Sequence, residues 1–236
     1  MRGPAAAAIC LAVAGLGVAD VRAQERASYS FYRNGVAVGH HVVQTSGSAG
    51  RHTVDIDSQV AVRLGGQLTV FRYAHHSRET WDGERLISLE SRTDDDGKSF
   101  RVLASAGAGG MVVRATVPEV ENASLNDRMM GFAPTNSERL VEQVLPADLL
   151  PTSWSHARIL KQSRLLNSQT GNLQQISVQQ LGTDVVQTGQ GQIPASRYRL
   201  TGMITTLELW YDNRGRWLKS AFKGRDGSAI EMVLER

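Results

Sequence analysis

Two histidine pairs and a nearby glutamate are the residues of this chain whose types and spacing suit metal binding. His75 and His76 stand together in the stretch YAHHSRETW, with Glu79 close behind, and His40 and His41 form a second pair in VGHHVV. Zn²⁺ accepts imidazole nitrogens and carboxylate oxygens as ligands. One histidine from each pair, together with Glu79, would supply a ligand set if neighbouring strands brought them together.

The local pattern around these histidines favours a β-strand, in which successive side chains point to opposite faces. His75 and His76 would then face in opposite directions, and His76 would lie beside Arg72 and Arg78, a poor environment for a cation. We therefore favour a strand with a polar face, in which Glu79 is an ion-pair partner. No metal ligand is predicted, and the histidine–glutamate site remains an alternative.

Other motifs with known chemistry are absent from the sequence or lack the required spacing. The consecutive acids in TDDDG do not follow the alternate ligand spacing of an EF-hand loop. Neither G-x-S-x-G nor H-E-x-x-H occurs. Ser153, Ser155 and His156 are close in sequence, but sequence neighbours do not make a catalytic triad. We predict no catalytic residue and no cofactor, and we expect a protein that is not an enzyme.

The elements that must position these residues follow from an alternation of apolar and polar side chains. In TVDIDSQVAVRL, Val54, Ile56 and Val60 fall on one face, which is typical of a half-buried strand. Asn34-Gly35 and Asp82-Gly83 separate such runs and predict tight hairpin turns. The prediction is a mainly β fold: a single curved antiparallel sheet or open barrel, of the β-spiral or half-barrel kind, with one or two short helices in the middle segment.

The middle of the chain departs from this alternation. We predict a loop to about residue 136, a strand or short helical turn near 138–145 and a helix near 154–162, after which strands resume. The stretch TGQGQIP is predicted to be a second loop. If the core is closed by its own side chains, the function would lie on the loops at 118–137 and 185–192.

The N-terminus has the pattern of a secretory signal peptide. Arg2 precedes an apolar run, and Val21-Arg22-Ala23 supplies small residues for cleavage. We predict a signal peptide at 1–23 and one β-rich periplasmic domain at 24–236. The only cysteine, Cys10, lies inside the predicted signal peptide, so the mature chain would have neither a disulfide nor a cysteine metal site.

Four separated stretches of the mature chain resemble one family of exported proteobacterial proteins. They are YSFYRNGVAVGHH, FRYAHHSRETWDGERLISLESRTDDDGKSF, RLLNSQTG and the hairpin TLELWYDNRGRWLKSAFKGRDG. By these stretches the chain is identified as a member of the domain-of-unknown-function family numbered six-one-three-four. It is more distantly similar to envelope β-spiral proteins and Lol-type lipoprotein carriers. The resemblance implies a curved antiparallel sheet around a central apolar region, in the periplasm, and it implies no chemistry.

These observations lead us to expect a non-enzymatic periplasmic envelope protein that binds a lipid or other apolar ligand in the concave face of its sheet. The alternatives are an envelope interaction or structural module without a small ligand, and a metal-dependent enzyme using histidine and glutamate. Expected partners are a lipid or lipoprotein, or other envelope proteins.

The net charge of +3 is spread along the chain without a Lys/Arg cluster, so we expect no nucleic-acid partner. No second apolar run suggests a transmembrane segment in the mature chain. The residues expected to contact the ligand are Trp81, Trp154, Trp210, Trp217 and Tyr73.

Overall fold

The computed structural model describes residues 23–48, 50–65, 67–119 and 138–236. The predicted signal peptide lies outside them except for Ala23, where the first strand begins, and the predicted loop at 118–137 lies outside them from residue 120. The strands are β1 (Ala23–Arg33), β2 (Val36–Gly47), β3 (Arg51–Leu64), β4 (Leu68–Asp82), β5 (Arg85–Asp95), β6 (Lys98–Gly107), β7 (Gly110–Pro118), β8 (Glu138–Leu145), β9 (Leu150–Pro151), β10 (Arg164–Leu166), β11 (Leu173–Gln175), β12 (Ser177–Thr188), β13 (Gly191–Thr201), β14 (Leu207–Tyr211), β15 (Trp217–Lys223) and β16 (Ala229–Leu234).

Thirteen of these strands form one open antiparallel sheet, in the order β12-β13-β14-β15-β16-β1-β2-β3-β4-β5-β6-β7-β8. The sequence-based prediction of a mainly β fold built on a single antiparallel sheet is therefore confirmed. The first and last strands pair with each other, with Tyr29 opposite Leu234. Both ends of the described chain consequently lie in the middle of the sheet, and its two edges, β8 and β12, come from the middle of the sequence.

Two of the hairpin turns have the conformation expected from their dipeptides, whereas at Asp82-Gly83 only Gly83 has a positive φ, 53°, and Asp82 is the last residue of β4. Asn34 and Gly35 both have positive φ angles, 49° and 79°, and Asp96 and Gly97 have φ angles of 53° and 85°. Two successive residues with positive φ form the turn whose twist matches that of the flanking strands. These turns therefore determine the strand register at both hairpins.

Two predicted elements differ from the structure. The helix expected near 154–162 is a single 3₁₀ turn, Ala157–Lys161, and helices are otherwise nearly absent from the described residues. The loop expected at 185–192 is mostly strand, because β12 continues to Thr188 and β13 begins at Gly191. The alternation of exposed and buried side chains continues through this hairpin. The prediction of a loop was wrong because the hairpin is as rich in glycine and glutamine as a loop.

One face of the large sheet, which we name the inner face, carries the hydrophobic core. Its buried residues recur at every second position along the strands, as the side-chain period of two requires. In the β16–β1 pair, buried residues of the two strands lie opposite each other on the inner face. Both halves of the chain therefore contribute to a single core. Its large members include Tyr29, Phe31, Ile56, Trp81, Leu89, Val102, Val113, Leu209, Trp217 and Leu234.

A chain segment at residues 149–176, which we name the covering segment, packs against the inner face. It contains the three short strands β9 to β11, and its apolar side chains Ile159, Leu165 and Leu166 are buried in the core. At Gly171 the approach is so close that a Cβ atom would stand 2.8 Å from the Ala115 side chain of β7. The protein's own chain therefore occupies the place where we expected a lipid.

The strands β12 to β16 coil back on themselves. Gly189, in the turn after β12, donates its N–H to the carbonyl oxygen of Leu234 in β16 at 2.9 Å, although three strands separate β12 from β16 in the sheet. The Trp210 Nε1 of β14 similarly donates to Asp184 Oδ2 of β12 at 3.1 Å. This coiling encloses a groove on the face opposite the core, which we name the outer face.

Candidate functional site

A row of polar side chains crosses the inner face between the apolar residues. Strand register places His41 opposite Ser58, Ser58 opposite His75, and His75 opposite Thr93, on four neighbouring strands. The two histidines use the same atom: His41 Nδ1 lies 2.7 Å from Ser58 Oγ, and His75 Nδ1 lies 2.7 Å from Thr93 Oγ1. We name these four residues the polar row.

Strand β4 supplies the centre of this polar region because its inner-face positions are mostly polar. His75 is buried there, while His76 points to the outer face and is exposed, so the prediction that the two adjacent histidines face in opposite directions is confirmed. Ser77 and Glu79 follow on the inner face, and both are buried. Polar residues at core positions require buried hydrogen-bond partners, which the sequence does not reveal.

The imidazoles of the polar row are held neutral. Burial, followed by the nearby His75, lowers the pKa of His41 to about 3. Burial also lowers the pKa of His75 to about 4. The His41 ring lies edge-on to Tyr29 and Trp217, with centroid distances of 5.6 and 5.5 Å, and its Nε2 has no hydrogen-bond partner among the described residues. The polar row is therefore uncharged, as expected for side chains that form part of the structural core.

Glu79 is the most deeply buried ionisable group of this region. Its Oε2 accepts a hydrogen bond from Trp81 Nε1 at 3.0 Å, and its Oε1 has no partner among the described residues. Burial raises the pKa of Glu79 to about 7, although polar contacts with Ser153 and Trp81 act in the opposite direction. The prediction that Glu79 is an ion-pair partner is wrong: no ion pair of the described residues includes Glu79, and Arg78 pairs with Asp55 instead.

The covering segment contributes its own ionisable groups beside Trp81. The His156 ring centre lies 4.6 Å from that of Trp81, and the Arg158 guanidinium lies 5.8 Å above the Trp81 ring. Burial, followed by the nearby Arg158 charge, lowers the pKa of His156 to about 4. Arg158 is anchored by Glu84, whose side chain and backbone carbonyl both accept its hydrogen bonds. The segment is thus tied to the strands β4 and β5 by aromatic and ionic contacts.

The metal-ligand set considered from the sequence does not assemble. His40 lies on the outer face, 3.8 Å from Asp57, whereas Glu79 lies on the inner face. His75 and His76 are themselves divided between the faces. Over the described ranges, no group of three or more His, Cys, Asp or Glu residues is arranged to hold a metal ion.

A nucleophile–base pair is also not formed in the part of the chain that the structure describes. The Ser153 and Ser155 hydroxyls lie 3.4 Å apart, and His156 Nε2 is buried without a hydrogen-bond partner. Activation of a serine requires a base within hydrogen-bonding reach of its hydroxyl. This geometry gives neither hydroxyl a base at Nε2.

The five aromatic residues expected to bind a ligand do not line one site. Trp81 and Trp217 are fully buried in the core. Tyr73 is directed at the covering segment, with its hydroxyl 3.5 Å from Gln169 Oε1. Trp154 has a positive φ of 60°, and its carbonyl accepts a hydrogen bond from the Tyr211 hydroxyl at 2.7 Å. Trp210 alone lies on the outer face, apart from the other four.

Trp210 forms part of the wall of the outer-face groove, whose volume is about 600 Å³. Arg197 and Lys219 flank its ring at 5.2 and 5.3 Å from the centroid, and hydrogen bonding to Trp210 is the main cause that lowers the pKa of Asp184. Lys219 in turn pairs with Glu231 at 2.5 Å. The groove thus combines an aromatic ring with both signs of charge, which suits an amphipathic ligand or a partner side chain.

The charged residues around Trp210 were not identified from the sequence. Arg197 and Lys219 lie on different strands and meet at Trp210 only through the register of β13, β14 and β15. Asp184 reaches it across an intervening strand because the sheet coils. The sequence indicated only that these polar residues lie on the same face of their strands. It did not reveal which strands are neighbours.

Fold and site together define an all-β protein with one open antiparallel sheet, an inner face covered by its own chain and a groove on the outer face. The chain belongs to the family described as Domain of unknown function (DUF6134), whose sequence model matches residues 29–235. This match confirms the family suggested by the four sequence stretches.

Five chains of solved structures match this chain, and one of them shows how low the resemblance is. A crystal structure described as "a putative lipoprotein from Parabacteroides distasonis" is 7% identical, with a TM-score of 0.31, over 90% of this chain and 94% of that chain. No curated protein matches the chain. Among the described residues, no helix is long and apolar enough to cross a membrane.

Proposed function

We propose that this protein is a non-enzymatic interaction module of the bacterial envelope, which binds its partners on the outside of the sheet. Export to the periplasm is supported by the signal-peptide pattern at 1–23, with its basic start, apolar run and small residues at the cleavage position. The expected partners are other envelope proteins, and the proposal replaces a lipid inside the sheet with a partner on the outer face.

The observation that carries this proposal is the covering segment. It satisfies polar groups of the inner face directly: Ser91 Oγ donates to the Ser168 carbonyl oxygen, and the Tyr211 hydroxyl donates to the Trp154 carbonyl oxygen. A lipid entering the inner face would have to displace these contacts. Each buried polar group left without a partner costs about 1–3 kcal/mol.

The inner face is also chemically unsuited to an acyl chain. The polar row and the neighbouring Ser77 and Glu79 interrupt its apolar surface at the centre of the sheet. An acyl chain offers no hydrogen bond to these groups. The covering segment, in contrast, accepts hydrogen bonds from other polar side chains of the inner face, at Ser91 and Tyr211. The outer-face groove is open, so a ligand or partner can reach the Lys219 side chain without opening the core. Trp210, which is 5% exposed, forms the buried wall behind it.

Native mass spectrometry of residues 24–236, purified from a bacterial periplasm without detergent, tests this proposal. We expect the protein mass with no bound lipid, and a copurifying protein that is lost when Lys219→Glu reverses a charge in the groove. Lys223→Glu, at the end of the same strand and outside the groove, is the matched control. A lipid mass that disappears on denaturation would contradict the proposal and support a carrier.

A further inference from the structure

The two edges of the large sheet differ in how well they are protected. At β12, a bulge interrupts the pairing between Gln180 and Gly182, and the coil brings the end of this strand onto Leu234. Bulges and covered edges prevent unwanted strand pairing. At β8, the described residues pair with β7 in an unbroken register from Glu138 to Leu145. Among the described residues, the regular edge of the sheet is therefore β8.

The side chains of β8 make this edge apolar on the outer face. Leu140 and Val144 are 63% and 62% exposed, and Val144 lies opposite Val112 of β7, which is also exposed. Glu142 lies between them and forms an ion pair with Arg114 at 2.5 Å. The strand contains no lysine, proline or bulge. Its charged residues are Glu138, Arg139 and Glu142. A regular, exposed edge with apolar side chains is a template for pairing with another strand.

The spacing of these side chains identifies the pairing strand. Leu140 and Val144 are placed symmetrically about Glu142, each two residues away. In an antiparallel pair of two β8 strands centred on Glu142, Leu140 of each copy lies opposite Val144 of the other, on the same face. Shifting the register by two residues in either direction removes both apolar pairs. We propose that a second copy of this protein pairs with β8 in this register and extends the sheet across a two-fold axis.

Charge is balanced in the same arrangement. The two copies of Glu142 would lie opposite each other, which alone would be unfavourable. Each carboxylate is already paired with Arg114 of its own copy, so the interface holds two ion pairs with no net charge. Next to them, Val141 on the inner-face side would lie opposite Gln143 of the other copy. The interface is thus self-complementary in apolar contacts and neutral in charge.

A single-cysteine variant tests the register directly. The chain contains one cysteine, Cys10, which lies outside residues 24–236, so Glu142→Cys in the mature chain carries one thiol. Because residue 142 faces its own copy, we expect a disulfide-linked dimer under mild oxidation. Leu140→Cys, which faces residue 144 of the other copy, and Ile204→Cys, in an exposed turn, are controls that should stay unlinked. No linked dimer at residue 142, or equal linking at all three positions, would overturn the proposal.

The second test is the mass of the protein in solution, measured by light scattering after size-exclusion chromatography over a range of concentrations. We expect twice the monomer mass for wild type, and an increase of about tenfold or more in the dimer dissociation constant for Val144→Lys. Ile204→Lys places the same charge at a 91% exposed site and should leave the dimer unchanged. A monomer at all concentrations, or a dimer unaffected by Val144→Lys, would refute the pairing. Circular dichroism confirms that each variant is folded, and neither outcome depends on whether lipid is bound.

Discussion

Buried ionisable side chains of the inner face and the covering segment determine how the stability of this protein depends on pH. His41, His75 and His156 carry pKa values lowered to between about 3 and 4 by burial, while the pKa of Glu79 is raised to about 7. Burial disfavours the charged form in every case, which lowers the pKa of a base and raises that of an acid. The two kinds of residue therefore give opposite dependences of stability on pH.

The histidines predict that the protein loses stability in mild acid. Between about pH 6.5 and pH 4, the unfolded chain takes up protons on His75 that the folded protein does not accept, so the free energy of unfolding falls as pH falls. Two pH units in this window correspond to roughly 2–3 kcal/mol for this histidine. Urea denaturation at pH 7.5, 6.5, 5.5 and 4.5 measures the slope.

Two variants test how much His75 contributes to the pH dependence of the unfolding free energy. His75→Gln should reduce the slope of unfolding free energy against pH, because the group that titrates on unfolding is gone. His76→Gln, its exposed neighbour on the outer face, is the matched control and should keep most of the slope, because burial is the larger cause of the lowered pKa of His75 and the His76 charge the smaller one. An identical slope in wild type and His75→Gln would contradict the neutral buried imidazole.

Glu79 predicts the reverse dependence at higher pH. Its pKa is about 7 in the folded protein against an ordinary value of 4.5, so between these values the folded state holds a proton that the unfolded state has released. The contribution of Glu79 is therefore present below about pH 4.5 and is lost as pH rises to 7. Glu79→Gln should match wild type at pH 5 more closely than at pH 8, where it should be more stable by up to roughly 3 kcal/mol.

This difference is measured by urea denaturation of both proteins at the two pH values. Glu90→Gln replaces an exposed carboxylate of the neighbouring strand and should show no such change between pH 5 and pH 8. If Glu79→Gln were equally destabilised at both values, the carboxyl group would be charged throughout, and its burial would need another explanation.

Strands and turns of this fold are readable from sequence because their determinants are local. Alternation in β3 and the Asn34-Gly35 turn require no knowledge of distant residues. The covering segment is different: we predicted a helix at 154–162 and the structure has one 3₁₀ turn, since Ile159, Leu165 and Leu166 are buried by packing against the inner face. Tertiary contacts override local propensity in such segments.

The candidate site was predictable only in part for the same reason. The opposite directions of His75 and His76 follow from strand geometry, and they were correctly predicted. The burial of Glu79 and the cations around Trp210 depend on which strands are neighbours and on the register between them. Alternation along a strand shows to which face of the sheet each side chain points. It does not show which side chain of the neighbouring strand lies beside it.

The packing of the covering segment is tested at Gly171. This residue has a φ of 76°, and a Cβ atom would stand 2.8 Å from the Ala115 side chain and 3.1 Å from that of Val113. Gly227 has a φ of 79° with open space around its Cα, so Gly227→Ala isolates the backbone strain alone. We expect Gly171→Ala to lose about 1–3 kcal/mol more stability than Gly227→Ala, because it adds a clash in the core.

The comparison uses the free energy of unfolding from urea titrations of the two variants. Equal losses would mean that only backbone strain matters, and that the covering segment does not press against β7. A larger loss in Gly171→Ala, with a folded protein remaining, would support close packing of the segment on the inner face.

At the scale of the whole molecule, pairing of the first and last strands places both ends of the described chain in the centre of the sheet. β16 links β15 to β1 and is hydrogen-bonded on both sides. A chain that ends at residue 228 should therefore lose cooperative unfolding, since the sheet would be divided in the middle. A chain that ends at Leu234 loses only terminal hydrogen bonds with Ser28 and the Tyr32–Glu235 contact, and it should stay folded.

Thermal denaturation followed by circular dichroism distinguishes these two truncations. A single transition as sharp as that of the full chain, in the chain ending at residue 228, would contradict this prediction, because the sheet would then unfold cooperatively without β16.

The most direct test of the central claim is hydrogen–deuterium exchange of the covering segment with and without lipid vesicles. Its amides at Gly171 and Ile176 are hydrogen-bonded within the segment, and the segment is packed on the inner face. We predict slow exchange at 164–176 that lipid leaves unchanged, because the protein's own chain fills the core permanently. Faster exchange of this segment on adding lipid would show that it leaves the inner face to admit a ligand, which would contradict an interaction module with a closed core.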